Sequence, residues 1–186
     1  MTTPTPPPQS KPPVDAAQHE ELLVKLLSSL SNPRIVAVAV DASENSEKAL
    51  DYTLVNIVRK ETDRVVLLNV RAVPVPPFDY GFFAVDVGYA IEDCNKLTSR
   101  SLLQDLARKV VDAGVDCRAI ALRGDARAEI VAKVEELGAV MLVMGSRGMG
   151  AIKRTVLGSV SDFCVHNANC PVLVVQPNGP STLLDA

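Results

Sequence analysis

From Arg34 onward the apolar residues follow two rhythms in turn, short unbroken runs and stretches in which they recur every three or four positions. Ile35 to Val40 is an unbroken apolar run, rich in β-branched residues, of the kind buried on both faces of a parallel sheet. After it, Ser43 can cap a helix whose first turn holds Glu44 and Glu47 and whose apolar face is Ala49, Leu50, Thr53, Leu54, Ile57 and Val58. Val65 to Val70 predicts a second strand. Residues 71 to 88 form a proline- and aromatic-rich connection, after which Ile91, Cys94, Leu97, Leu102, Leu106 and Val110 predict a long helix closing near Gly114. Val115 to Leu122 is the third strand. Asp125 caps the next helix, which carries Ala126, Ile130, Val134 and Leu137 and stops at Gly138. Ala139 to Met144 supplies a fourth strand, Ser159 to about Asn167 a last helix, and Pro171 to Val175 a final strand.

Strands that alternate with helices imply crossover connections and a parallel sheet covered on both faces. The expected fold is α/β, a single doubly wound five-stranded parallel sheet sandwiched by helices, with strand order 3-2-1-4-5. Such sheets bind ligands beyond the carboxyl ends of their strands, where the winding reverses. Asp41 to Ser43, Val70 to Val73 and the loop after Met144 should converge there.

Outside this domain, taken as residues 34–176, the patterns differ. Residues 1–18 form a proline-rich tail expected to be disordered, with six prolines in the first 13 positions. Residues 19–33 hold an amphipathic helix and linker, with Leu22, Leu23, Leu26, Leu27 and Leu30 at helical spacing. The helix can pack on the chain's own domain or dock a protein partner through Leu22 to Leu30. Residues 177–186 read as a polar C-terminal tail. Between residues 71 and 89 fall five of the seven Phe and Tyr side chains, Phe78, Tyr80, Phe82, Phe83 and Tyr89. With Pro74, Pro76 and Pro77 before them, they suggest a loop more than a helix, which could cover the domain's own edge, close over a ligand or meet a partner.

Composition narrows the function. Hydrophobic residues make up 47% of the 186 and charged residues 22%, as in ordinary soluble domains, and no apolar run is long enough to span a bilayer. No apolar signal core opens the chain, so a cytoplasmic address is expected and a membrane partner is not. A net charge of -3 offers no broad basic field for nucleic acid. The four cysteines have no C-x-x-C spacing and only His19 and His166 are histidines, which argues against a disulfide framework or a structural zinc site. Cys94 and Cys164 fall on what read as apolar helix faces.

The candidate chemistry lies in the loop Met144-Gly145-Ser146-Arg147-Gly148, nine residues from Met149 to Leu157, then Gly158-Ser159. Gly145 and Gly148 should let the main chain turn sharply and approach a ligand, and Gly158 and Ser159 should expose amides at a helix start that attracts anions. Ser159 and Ser161 add hydroxyls, while Arg147, Lys153 and Arg154 make the loop locally positive. Neither the Walker A pattern nor the dinucleotide fingerprint is present.

G-x-x-G, nine residues and G-S, followed by a helix and the strand Pro171-Val172-Leu173-Val174-Val175, resembles the ATP-binding branch of the universal stress protein family. Val38-Ala39-Val40-Asp41 with Ser43 is similar to that family's first strand and turn, and Leu67-Leu68-Asn69-Val70 to its second strand. The resemblance covers residues 34–176 and implies a Rossmann-like fold of the adenine nucleotide alpha hydrolase type. It implies Asp41 beside the adenosine, Val70 meeting adenine through its main chain, and Gly145, Gly148, Gly158, Ser159 and Val160 around ribose and phosphates. Met144, Arg147 and Ser161 complete the expected set. The expected ligand is ATP, with AMP, ADP and a cyclic nucleotide left open and Mg²⁺ accompanying it. A homodimer paired through Pro171 to Val175 is implied as well. The proline tail, the leucine helix and the aromatic insertion are departures from the family pattern.

Three functions fit these residues. The first is a nucleotide-dependent regulator in a stress response with slow or no hydrolysis, since efficient phosphoryl transfer needs a positioned base and carboxylates that hold Mg²⁺. The others are a slow ATPase or nucleotide-using transferase, and a nucleotide-free interaction module. No catalytic residue is assigned.

Overall fold

The computed structural model describes residues 33–73, 84–148 and 157–176. The leucine helix, both tails, Phe78 to Phe83, Lys153 and Arg154 lie outside them. The chain order is β1 (Arg34–Ala39), α1 (Glu44–Asn56), β2 (Asp63–Arg71), α2 (Ala84–Asp112), β3 (Asp116–Arg123), α3 (Ala126–Leu137), β4 (Met141–Gly145), α4 (Ser159–Asn167) and β5 (Val172–Val175). All strand pairings are parallel and the order is β3-β2-β1-β4-β5, as expected.

The central strand shows how sequence becomes layers. Side chains alternate across β1, so Val36, Val38 and Val40 join Leu50 of α1 and Leu103, Leu106 and Val110 of α2 in one core. Ala37 and Ala39 face the other way, into a second core with Leu68, Met144, Ile130 and Val134 of α3 and Cys164 of α4. Each fully buried Leu or Val contributes roughly 1.5–3 kcal/mol relative to exposure.

Caps set the helix boundaries. Ser43 starts α1, its Oγ accepting from Ser46 N, and Asp125 starts α3 by accepting from Arg127 N. Each cap stabilises its helix by about 1 kcal/mol. Gly138 ends α3 in the left-handed region at φ 59°, where a Cβ is disfavoured. At the opposite end of the sheet from the loops, Asp63 has a fully buried side chain and accepts from Arg34 Nε at 2.9 Å, Arg59 N at 2.9 Å and Thr62 Oγ1 at 3.1 Å. Burial pushes its carboxyl up, but these donors and the Arg34 charge outweigh it and hold Asp63 below the usual value.

The long helix departs from its expected pattern in two ways. It begins at Ala84, so the last part of the connection expected as a loop, including Gly88 and Tyr89, is helical. Its first half also presents a different face, because Ile91, Cys94 and Leu97 are exposed, Leu97 at 68%. The buried positions are Glu92, Ser99, Leu103, Leu106 and Val110, so polar residues hold the inward face of the first turns. Cys94 therefore does not lie on a buried face, whereas Cys164 does.

Candidate functional site

Beyond the carboxyl ends of β1 and β4 the chain leaves toward opposite faces of the sheet, to α1 and to α4. A cleft of about 120 Å³ opens at that reversal. Its floor is Ala39 of β1 with Leu68 and Val70 of β2, its walls are Ala126 and Ile130 of α3, Met144 of β4 and Val160 of α4, and its rim is Asp41, Arg147 and Gly148. The volume is well below the ~300–1,000 Å³ that encloses a drug-sized ligand. The cleft can hold one apolar moiety of such a ligand, the remainder lying along the rim.

The Asp41 turn is pre-set by its own hydrogen bonds. Asp41 Oδ1 accepts from Ser43 N at 3.1 Å and Ser43 Oγ at 2.5 Å, and Ser46 Oγ donates to Asp41 O at 2.6 Å. Ser46, buried at the start of α1, also accepts from Asp41 N at 3.2 Å. These bonds fix the carboxylate through Oδ1.

The glycines of the loop have different causes. None of the three adopts positive φ, so none is needed for a left-handed turn. At Gly145 a Cβ would stand 2.8 Å from the main-chain carbon and oxygen of Asn45, because α1 passes directly over the end of β4. At Gly148 it would stand 2.5 Å from Asp41 Oδ2. Gly158 is unlike both, since a Cβ there meets nothing nearer than Ser146 O at 3.4 Å. Protein packing thus gives Gly145 and Gly148 a cause of their own, and neither requires a left-handed backbone.

Ser146 ties the loop together. Its N–H donates to Val175 O at 2.9 Å, and its carbonyl accepts from Gly158 N at 2.8 Å and from Ser161 Oγ at 3.3 Å. Asn45 Nδ2 donates to Arg147 O at 3.2 Å and fastens the other side. Helix α4 starts at N-cap Gly158 with no side-chain cap, so its first amides keep the partial positive charge of an open helix end. Ser161 is buried and its hydroxyl also donates to Gly158 O at 2.9 Å, which makes it a positioner of that turn.

The family model for the universal stress protein family matches residues 33–176. The chain belongs to that family. As a family member it is 34% identical over 173 residues to a universal stress protein A-like protein of Arabidopsis thaliana, an alignment covering 83% of this chain and 97% of the relative. A solved universal stress protein family protein from Arabidopsis thaliana with AMP bound is 31% identical, with TM-score 0.59 over 82% of this chain and 97% of that one. The universal stress protein UspA from Lactobacillus plantarum has TM-score 0.68 over 76% and 97% at 17% identity, a likeness of fold.

In this family member the cleft gathers Asp41, Val70, Met144, Gly145, Arg147, Gly148 and Val160 of the residues singled out from sequence. Gly158, Ser159 and Ser161 do not line it, and stand at the uncapped start of α4. Ala126 and Ile130 were missed; the signal available was their place in the first turns of the helix that follows β3's carboxyl end. Ser46, Asn45 and Ser146 were missed also, being ordinary polar residues until the tertiary structure brings them to the loop. Among the described residues no three His, Cys, Asp or Glu side chains gather as a metal site.

Proposed function

We propose that the cleft binds an adenine nucleotide, with the base on the apolar floor of Ala39, Leu68 and Val70 and the phosphates running past Gly148 to the first turn of α4. The uncapped start of α4 beside a cleft at the winding reversal carries this reading. The AMP-bound Arabidopsis relative supports it. ATP is the nucleotide we assign, and occupancy rather than turnover is the output. Asp41 is the one carboxylate lining the cleft and its Oδ1 already serves Ser43, so Mg²⁺ would enter on the phosphates and not in a protein cage.

The test separates binding from architecture. Mass analysis of ligand released from the freshly purified protein should find an adenine nucleotide, and calorimetry should give saturable binding of ATP. Gly158→Ala should weaken that binding at least tenfold, about 1.4 kcal/mol, while the fold is kept with no more than the small stability loss of a poorer N-cap, because the protein itself leaves room for the methyl. Absence of both released nucleotide and titratable ATP binding would overturn the assignment.

A further inference from the structure

On the opposite face of the sheet from the cleft lies a second concavity, a groove of about 400 Å³ between β3 and α2. It exists because this edge of the sheet is under-filled. Ile120 and Leu122 of β3 turn into the α3 side, while Ala119 and Ala121 face α2 and stay exposed. Leu103 and Ala107 of α2 complete an apolar floor.

Its polar lining is one-signed. Arg71, Lys96 and Arg100 line it with the Gln104 amide, and no acidic residue does. Arg71 and Arg123 are register partners on neighbouring parallel strands, so their side chains leave the same face. Both share Glu92, whose Oε1 accepts from Arg71 Nη1 at 2.9 Å and lies 3.3 Å from Arg123 Nε. One carboxylate between two guanidiniums leaves the group net positive, and among the described residues two buried side-chain atoms lack a hydrogen-bond partner, both in this cluster: the donor Arg71 Nε and the acceptor Glu92 Oε2. An unpaired buried donor is costly, and an acceptor that reached Arg71 Nε would relieve that cost. Lys96 is held only by an exposed pair with Asp93, and Arg100 has no ion-pair partner among the described residues.

We propose that this groove is a second ligand site, for a small amphipathic organic anion. Its carboxylate, sulfonate or phosphate end meets Arg71, Lys96 and Arg100, and its apolar body lies on Leu103, Ala107, Ala119 and Ala121. Charge selects the ligand, the alanines give it depth, and the volume falls within the range of small-molecule sites. The site is independent of nucleotide binding in the cleft.

The probe is 1-anilinonaphthalene-8-sulfonate, an anionic aromatic, with uncharged N-phenyl-1-naphthylamine as its control. Fluorescence titration of the full chain with saturating ATP present should show one saturable sulfonate site per chain and much weaker binding of the neutral analogue. Lys96→Glu with Arg100→Glu, two exposed changes compatible with folding, should weaken the sulfonate at least tenfold, and Ala121→Leu should do so by filling the floor. Amide resonances of Ala119 and Ala121 should shift on titration. Equal affinity in wild type and the double variant, equal binding of the neutral analogue, or displacement of the sulfonate by ATP would overturn the proposal.

Discussion

Gly148 lies against Asp41 so closely that a methyl group on it would stand 2.5 Å from the carboxylate Oδ2. Asp41 cannot simply swing aside, because its other oxygen holds Ser43 N and Oγ. Gly148→Ala should therefore lower stability by about 1–2 kcal/mol through overpacking. In the double variant with Asp41→Ala the clash is gone. Urea unfolding of the cycle should show a coupling of at least ~0.5 kcal/mol, and additive single effects would remove the contact from the account.

Asp63 predicts an acid limb. Its folded carboxyl is held below the ordinary value near 3.8, so it favours the folded state above that value and loses this contribution as pH falls through the folded pKa. Asp63→Asn should cost about 2–3 kcal/mol at neutral pH, as the charge-assisted bonds from Arg34 are lost. The gap between the two unfolding curves should stay constant down to about pH 4 and close below it. A gap that persists at about pH 2 would assign the loss to packing.

The thiols should sort by exposure. Burial pushes the Cys164 thiol up to about 11, and burial with the neighbouring Asp116 charge does the same for Cys117; burial also raises Cys170. At pH 8 an aromatic disulfide reagent should react at once with Cys94, which is exposed, and roughly 100-fold more slowly with the other three until denaturant is added. A second fast thiol per chain would contradict the burial of Cys117, Cys164 or Cys170.

Strand β5 is an edge, with all four side chains half-buried, and we expect it to pair with a second copy across a two-fold axis. Light scattering at tens of micromolar should give a dimer mass. Val174→Lys should reduce it to a monomer while far-UV dichroism is kept. A monomeric wild type would exclude the pairing.

The sheet was legible because buried parallel strands must be apolar on both faces, and Val36 to Val40 and Val65 to Leu68 meet that demand without exception. Helix α2 was less so. Its first turns bury Glu92 and Ser99, the latter donating to Asn69 Oδ1 at 2.6 Å, and an apolar periodicity cannot reveal an inward face built from polar pairs. The loop glycines were found by spacing, but the packing reason for Gly145, the backbone of Asn45 a hundred residues earlier, leaves no local signal. Ala126 and Ile130 carried only the signal of an ordinary amphipathic helix. Local pattern reports what a residue does for its own element, and the cleft is made where six elements meet.

The alternation of valine and alanine in β1 has a consequence for how this chain can diverge. Ala39 is 8% exposed and forms part of the cleft floor, while Val38 beside it fills the opposite core. Valine at position 39 would suit a strand better by propensity and would fill the floor on which we place the base. Closing that floor and keeping the architecture are therefore one substitution apart, on the central strand of the sheet. A descendant with that floor filled would keep the same sheet, loops and helix ends around a cleft that no longer opens.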